Sequence, residues 1–137
     1  FLGFHPGGKL GAQLLTVGQL MHSGADLPLL SPKASMQEAI LEMTSKGFGI
    51  AAVVEDDGRL LAVVTDGDLR RNIANILDKS VSEVVTYSPK SIPPEALASE
   101  ALGLMNTLRV TALCVVDGAG RLVGLLHLHD CLRAEVA

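Results

Sequence analysis

The stretch IAAVVEDDGRLLAVVTDGD, residues 50–68, places two apolar runs on either side of a polar Asp56-Asp57-Gly58 turn. The same pattern returns at residues 112–130 as ALCVVDGAGRLVGLLHLHD, shifted by 62 positions. The match extends outward without a gap, so that residues 35–71 align with residues 97–133 and ten of the 37 pairs are identical. A repeat of this length is a supersecondary unit that cannot bury its apolar face alone. We therefore expect two units that pack on each other, with a cleft at their pseudo-twofold seam.

Each unit carries the signals of a helix followed by a β-hairpin. Ser35 and Glu38 form a capping box, and the apolar residues behind them recur at helical spacing: Met36, Ala39, Ile40 and Met43. The second unit repeats this stripe with Ala98, Ala101, Leu102 and Met105. The hairpin runs are apolar throughout, which indicates a sheet covered on both faces. The predicted fold class is α/β, with two β-α-β-β-α units.

Composition sets the limits of function. The chain has 137 residues, of which 48% are hydrophobic and only 3% aromatic, so the core must be aliphatic. The net charge of −4 leaves no basic footprint for nucleic acid. No apolar run is long enough to predict a membrane span. The two cysteines, Cys114 and Cys131, do not form a disulfide framework, and we predict a cytoplasmic location.

The chain begins with Phe1 and shows no signal-peptide pattern. Residues 1–15 have no counterpart in the second unit. We therefore expect residues 1–16 to be a connector, the tail of a domain that lies upstream. The first unit is predicted to span residues 17–78 and the second unit residues 79–137.

Candidate binding residues lie where the last strand of each unit meets the following helix. Thr65 and Asp68 can bind a phosphate and the two hydroxyls of a ribose, because free amides at a helix start favour anions. The alternative is that both residues only cap the helix. In the second unit His127, His129 and Asp130 take these places. Two histidines at i, i+2 could also hold a metal, but no third ligand is placed by the sequence, and we predict none.

Further candidates are polar or basic residues expected near the same cleft. Each of the basic ones is alternatively a solvated surface charge. They are Lys33, Lys46, Asp66, Arg71, Arg109 and Thr111.

The segments Ala62-Val-Val-Thr65-Asp66-Gly67-Asp68 and Gly124-Leu-Leu-His127-Leu128-His129-Asp130 resemble the motif of the CBS domain, which usually occurs in pairs. This resemblance implies a disc-like module that binds an adenine nucleotide such as AMP or ATP. The second unit departs from the motif because histidine stands where threonine is expected. The resemblance also implies that Arg109 is a phosphate-binding base and that Asp68 both caps the helix and binds ligand.

A narrower resemblance links the chain to bacterial D-arabinose 5-phosphate isomerases, which join a sugar-isomerase (SIS) domain to a CBS pair. It rests on His5-Pro-Gly-Gly8 and on the strings TDGDLRR and HLHDCLRA, at residues 65–71 and 127–134. It implies CMP-Kdo, from the Kdo and lipopolysaccharide pathway, as a regulatory ligand. It also implies that His5 is a candidate acid/base of the full-length enzyme. The alternative is that His5-Pro-Gly-Gly8 is only a hinge in this chain.

We therefore expect a regulatory module that needs no cofactor and does not catalyse isomerisation itself. It is expected to be attached to an SIS domain within a homo-oligomer. The alternative is an oligomerisation plate with an empty cleft, using the apolar helices near residues 36–43 and 102–105. A third possibility is that the chain is an enzyme, but no nucleophile–base pair or phosphate loop appears in the repeats.

Overall fold

A computed structural model describes residues 14–135 of the chain. The elements of the first unit are α1 (Val17–Leu20), β1 (Leu29–Leu30), α2 (Met36–Lys46), β2 (Ile50–Val54), β3 (Leu60–Thr65) and α3 (Asp66–Arg71). Those of the second are β4 (Thr86–Tyr87), β5 (Ser91–Ile92), α4 (Ala98–Leu108), β6 (Ala112–Val116), β7 (Leu122–His127) and α5 (Leu128–Arg133). Short 3₁₀ turns occupy Gly24–Asp26, Ile76–Asp78 and Val81–Glu83. The predicted α/β repeat is confirmed.

Local sequence signals start and end α2. The Ser35 hydroxyl accepts a hydrogen bond from the Glu38 amide at 3.2 Å, and the Glu38 carboxylate accepts one from the Ser35 amide. Gly47 ends α2 in the left-handed conformation, with φ +77°. At the matching position of the second unit, Arg109 adopts the same conformation with φ +58°, which is unfavourable for a residue with a Cβ.

The strands form two separate sheets with the order β1-β2-β3-β4 and β5-β6-β7. In both sheets the first pair is parallel and the hairpin is antiparallel, and the hairpin registers match: Ile50 pairs with Thr65, and Ala112 pairs with His127. Strand β4 was not predicted, because two exposed residues carry no periodic signal. It adds to β3, so that a segment of the second unit extends the sheet of the first.

The two units join through their hairpin turns and through a shared core. The Leu60 amide donates to the Gly120 carbonyl at 3.0 Å, and the Leu122 amide donates to the Gly58 carbonyl at 2.9 Å. Behind these reciprocal bonds, residues from both sheets form one buried cluster. Its members are Leu27, Ile50, Ala52, Val63, Ala112, Cys114 and Leu125. The expected packing of one unit on the other with pseudo-twofold symmetry is present.

Each unit also sends its first segment into the core of the other. Val17 is fully buried in the core of the second unit, whereas Val81 and Val84 are buried in the core of the first. The backbone also contacts the other unit, because the Val17 amide donates to the Ala96 carbonyl at 2.8 Å. Packing therefore crosses the predicted boundary between the two units. Their division into residues 17–78 and 79–137 stays a prediction. The predicted connector 1–16 and His5 lie almost wholly outside the described residues.

Within residues 14–135, no helix is long and apolar enough to cross a membrane.

Gly124 leaves room for the first segment of the chain to pack against the second unit, and we expect its replacement to destabilise the fold. A Cβ at Gly124 would lie 2.8 Å from the His22 carbonyl oxygen and would also overlap the Met21 side chain. Gly124→Ala should therefore lower the free energy of unfolding by about 1–3 kcal/mol, measured by urea denaturation. Gly103→Ala is the control: it lies in α4 with open space around it, and should raise stability by about 0.5–1 kcal/mol. Equal effects of the two substitutions would contradict this role.

Both thiols should be inert in the folded protein. Burial raises the pKa of Cys114 to about 12, and burial together with the neighbouring Asp130 raises the pKa of Cys131. Because the thiolate is the reactive form, DTNB should label neither cysteine in buffer within minutes and both in denaturant. Rapid labelling of one thiol in buffer would show that the core opens at that position.

Candidate functional site

A buried carboxylate stands at the start of α3. Asp68 is only 3% exposed and accepts hydrogen bonds from the Thr65 amide at 3.0 Å and the Thr65 hydroxyl at 3.1 Å. Arg71 donates to its Oδ1 at 2.6 Å, and the Thr86 hydroxyl donates to the same oxygen at 3.1 Å. The Thr65 hydroxyl in turn accepts from the Asp68 amide at 3.2 Å. Thr65 and Asp68 therefore cap α3, which is the alternative role that the sequence offered for them.

The second unit repeats this arrangement with different donors. Asp130 is 6% exposed, and its Oδ2 accepts from the His127 amide at 2.8 Å. Its Oδ1 accepts from His22 Nε2 at 2.9 Å and from the Arg133 guanidinium. His127 also caps α5, because its Nδ1 accepts a hydrogen bond from the His129 amide at 3.1 Å.

Each aspartate is held by a residue from the other unit. His22 precedes β1 in the first unit but bonds to Asp130, and Thr86 lies in the second unit but bonds to Asp68. The two donors hold equivalent places, since each lies five residues after the valine, Val17 or Val81, that crosses into the other core. Sequence analysis missed both as site residues. Residues 17–21 (VGQLM) and 81–85 (VSEVV) share an apolar pattern, and this match was the signal that could have found them.

A hollow of about 190 Å³ opens beside Asp130 between the two units. A second hollow of about 550 Å³ shares His22 and Phe48 with the first and adds Asp26, Ser45 and Lys46. We call the first hollow the histidine cleft. Its lining residues are His22, Gly47, Phe48, His127, His129, Asp130 and Arg133.

A continuous row of rings lines the histidine cleft. Ring centroids lie 4.8 Å apart for His22 and Phe48, 6.2 Å for Phe48 and His127, and 4.9 Å for the stacked rings of His127 and His129. Three of the four histidines of the chain are in this row, and the fourth, His5, is outside the described residues. None of the equivalent positions in the other unit carries a ring: they hold Thr86, Val110, Thr65 and Gly67.

The surroundings of His127 disfavour its protonated form. Burial lowers the pKa of His127 below its ordinary value of 6.5, and the neighbouring His129, His22 and Arg133 act in the same direction. Asp130 opposes them. Accepting the His129 amide on Nδ1 also favours the neutral ring, because that nitrogen needs its lone pair.

The remaining predicted residues do not line the histidine cleft. Lys46 lines the second hollow, and its Nζ donates to the Ala25 carbonyl at 2.7 Å. The Asp66 amide donates to the Gly49 carbonyl at 3.2 Å, and the Thr111 carbonyl accepts from the Leu128 amide at 2.7 Å. Neither hollow is lined by the predicted residues Lys33, Thr65, Asp66, Asp68, Arg71, Arg109 and Thr111.

The polar groups of the histidine cleft already bond to one another. His22 and Asp130 are already bonded to each other, and His127 uses Nδ1 as a cap. Across residues 14–135, no group of three or more His, Cys, Asp or Glu side chains is arranged to hold a metal ion.

Curated relatives of the chain include arabinose 5-phosphate isomerases. The enzyme of Yersinia pestis is 42% identical over 136 residues, and that of Pseudomonas aeruginosa is 43% identical over the same length. Each match covers 96% of this chain but only 41% or 42% of the relative. The chain therefore spans about two fifths of the length of these relatives. The predicted resemblance to this family is confirmed.

Solved structures share the fold. CBSX2 from Arabidopsis thaliana is 27% identical, with a TM-score of 0.76, and the alignment covers 89% of this chain and 94% of that chain. CBSX2 in complex with AMP gives a TM-score of 0.77 and coverages of 89% and 96%. A CBS domain protein from Pyrobaculum aerophilum complexed with AMP has the same fold, with a TM-score of 0.76 at 23% identity and coverages of 90% and 100%.

The sequence model of the CBS domain matches the chain twice, at residues 17–75 and 81–137. Each match contains one helix–hairpin–helix repeat and begins at the valine, Val17 or Val81, that is buried in the core of the other unit. The chain therefore belongs to the CBS domain family and is a tandem pair of CBS domains.

Proposed function

We propose that the chain is a regulatory nucleotide-binding module and that the histidine cleft is its binding site. The observation that carries this proposal is the gathering of Asp130, three imidazoles and Arg133 around one hollow between the units. Convergent polar groups beside an aromatic ring are what a site for a small polar ligand needs. The cleft offers a carboxylate for sugar hydroxyls, N–H donors for phosphate oxygens, and the Phe48 ring for a base.

The two aspartates differ in the number of hydrogen-bond acceptor sites that remain free. A carboxylate has about four lone-pair sites. Asp68 already takes four donors, from the Thr65 amide, the Thr65 hydroxyl, the Thr86 hydroxyl and Arg71. Asp130 takes three, and its Oδ2 has one of them. Asp130 therefore retains an acceptor site for a ligand hydroxyl, which supports the histidine cleft over the Asp68 site.

The charge around the cleft favours an anionic ligand. Arg133 uses one nitrogen on Asp130 and keeps the other N–H groups of its guanidinium, and Lys46 stands in the adjoining hollow. Solved relatives of the same fold contain AMP, which supports an adenine nucleotide such as AMP or ATP. CMP-Kdo, which joins a nucleotide phosphate to an acidic sugar, is the more specific ligand that we propose from the relationship to arabinose 5-phosphate isomerases.

In the full-length protein this module would report on nucleotide levels to an attached sugar-isomerase domain. The isomerase relatives are more than twice as long as this chain, so the proposed catalytic reaction belongs to the remainder of such a protein. Regulation then requires that the ligand bind two states of the assembly with different affinity. A cytoplasmic location and a homo-oligomer remain predictions. The module itself is proposed to be non-catalytic.

Calorimetry with AMP and CMP-Kdo tests the binding site. Wild-type protein should bind at least one of them, and Phe48→Ala should weaken binding about tenfold because it removes the stacking surface, a loss of about 1–3 kcal/mol. Val110→Ala, at the matching position of the other unit, is the control and should bind like wild type. The proposal fails if no heat appears at millimolar ligand or if the two variants lose affinity equally.

Light scattering tests the alternative of an oligomerisation plate. The predicted apolar stripes of α2 and α4 are used inside the cores, since Met36, Met43 and Met105 are at most 5% exposed. We therefore expect nucleotide to bind whatever the oligomeric state. A stable oligomer that binds no nucleotide by calorimetry would favour the plate instead.

A further inference from the structure

The N-terminal cap of α5 is made by a side chain that can take up a proton. His127 Nδ1 accepts a hydrogen bond from the His129 amide at 3.1 Å. At the equivalent place in the first unit, the Thr65 hydroxyl accepts from the Asp68 amide at 3.2 Å. A protonated imidazole has an N–H on both nitrogens and accepts no hydrogen bond, whereas a threonine hydroxyl does not change with pH. Proton uptake therefore removes this bond at α5 and leaves its counterpart at α3 intact.

The ring that makes this cap also lies at the contact between the two units. The centroid of His127 is 6.2 Å from that of Phe48 in the first unit, and Phe48 is 4.8 Å from His22. On the side of its own unit, His127 stacks on His129 at 4.9 Å. Charges this close repel more strongly in a partly buried site than in water. A charge on His127 therefore acts on both units.

The groups around His127 oppose its protonation on balance. Burial is the largest cause that lowers its pKa, three neighbouring side chains add to this effect, and one carboxylate opposes it. The neighbours come from the segment before β1 and from α5, and two more charged groups line the adjoining hollow. They are His22, His129, Arg133 and Asp130, with Asp26 and Lys46 in the hollow.

A lowered pKa means that acid disfavours the folded state. The unfolded chain takes up the His127 proton near the ordinary value of 6.5, whereas the folded chain takes it up only at a lower pH. The stability that the neutral ring contributes is therefore complete above pH 6.5 and is lost as the pH falls below that value. Ordinary carboxyl groups titrate near about pH 4, so histidines dominate the change just below neutrality.

We propose that the row of rings in the histidine cleft is an acid-sensitive switch, in which proton uptake by His127 uncaps α5 and weakens the packing between the two units. The switch operates without any ligand and does not rest on the proposed function. It acts on one side of the pseudo-twofold axis only, because none of the matching positions in the other unit is titratable. Those positions hold Thr86, Val110, Thr65 and Gly67.

NMR of the wild-type chain tests the uncapping. As the pH falls from about 8 to about 5, the His129 amide proton should shift upfield with the same midpoint as the His127 ring, below 6.5, because it loses its acceptor. The Asp68 amide is the internal control, since threonine makes the same cap there, and its shift should stay constant. A constant His129 shift, or a His127 ring that titrates at or above 6.5, would contradict the switch.

Urea denaturation against pH tests the loss of stability. The unfolding equilibrium constant of wild-type protein, relative to that of His127→Thr, should rise by up to about tenfold in the first pH unit below 6.5. His127→Thr copies the cap of the other unit, where Thr65 has the same extended backbone, so this variant should remain folded. Because all other histidines are present in both proteins, the difference between the two curves belongs to His127.

His22→Thr is the matched control for the cap. It copies Thr86, so it keeps a donor for Asp130, and it leaves the bond between His127 and the His129 amide in place. Its stability should still fall with acid more steeply than that of His127→Thr. Parallel pH curves for wild type and His127→Thr would overturn the switch. An equal flattening in both variants would show that the cap is not its cause.

Discussion

The reciprocal contact between the two units is the constraint on which the rest of this structure depends. Each sheet is apolar on both faces, and its own helices cover only one of them. The other face is buried when the sheets meet around Ala52 and Cys114. Two bonds between the hairpin turns fix how they meet, and each unit sends a valine into the opposite core. The histidine cleft lies between the two units that these contacts hold together.

Duplication supplied two buried aspartates at equivalent positions, and substitution made their surroundings different. The same exchange of segments brings Thr86 to Asp68 and His22 to Asp130. At Asp68 the result is a carboxylate whose acceptor sites are all used by internal hydrogen bonds. On the other side, rings replace threonine, valine and glycine, and the carboxylate and His127 both keep unused hydrogen-bonding capacity. The pseudo-symmetric framework therefore holds one aspartate with a saturated carboxylate and one with an open acceptor site, and the second lies in the proposed ligand site.

Much of this fold could be predicted, because its signals are local. The capping box of Ser35 and the apolar hairpin runs lie where the sequence indicated. The site was harder to predict, since His22 and Phe48 reach the cleft only through contacts between units. Lys33 was predicted from its charge and its position before a helix, and neither property says which way a loop faces.

The sequence by itself determined the repeat, the element order and the polar residues at the end of each hairpin, because periodicity and capping act over a few neighbouring residues. Only the tertiary structure decided which aspartate is satisfied and which retains an open acceptor. Hydrogen-bond saturation depends on donors from distant parts of the chain, 108 residues away for His22 and Asp130. Packing across the pseudo-twofold axis brings such donors together.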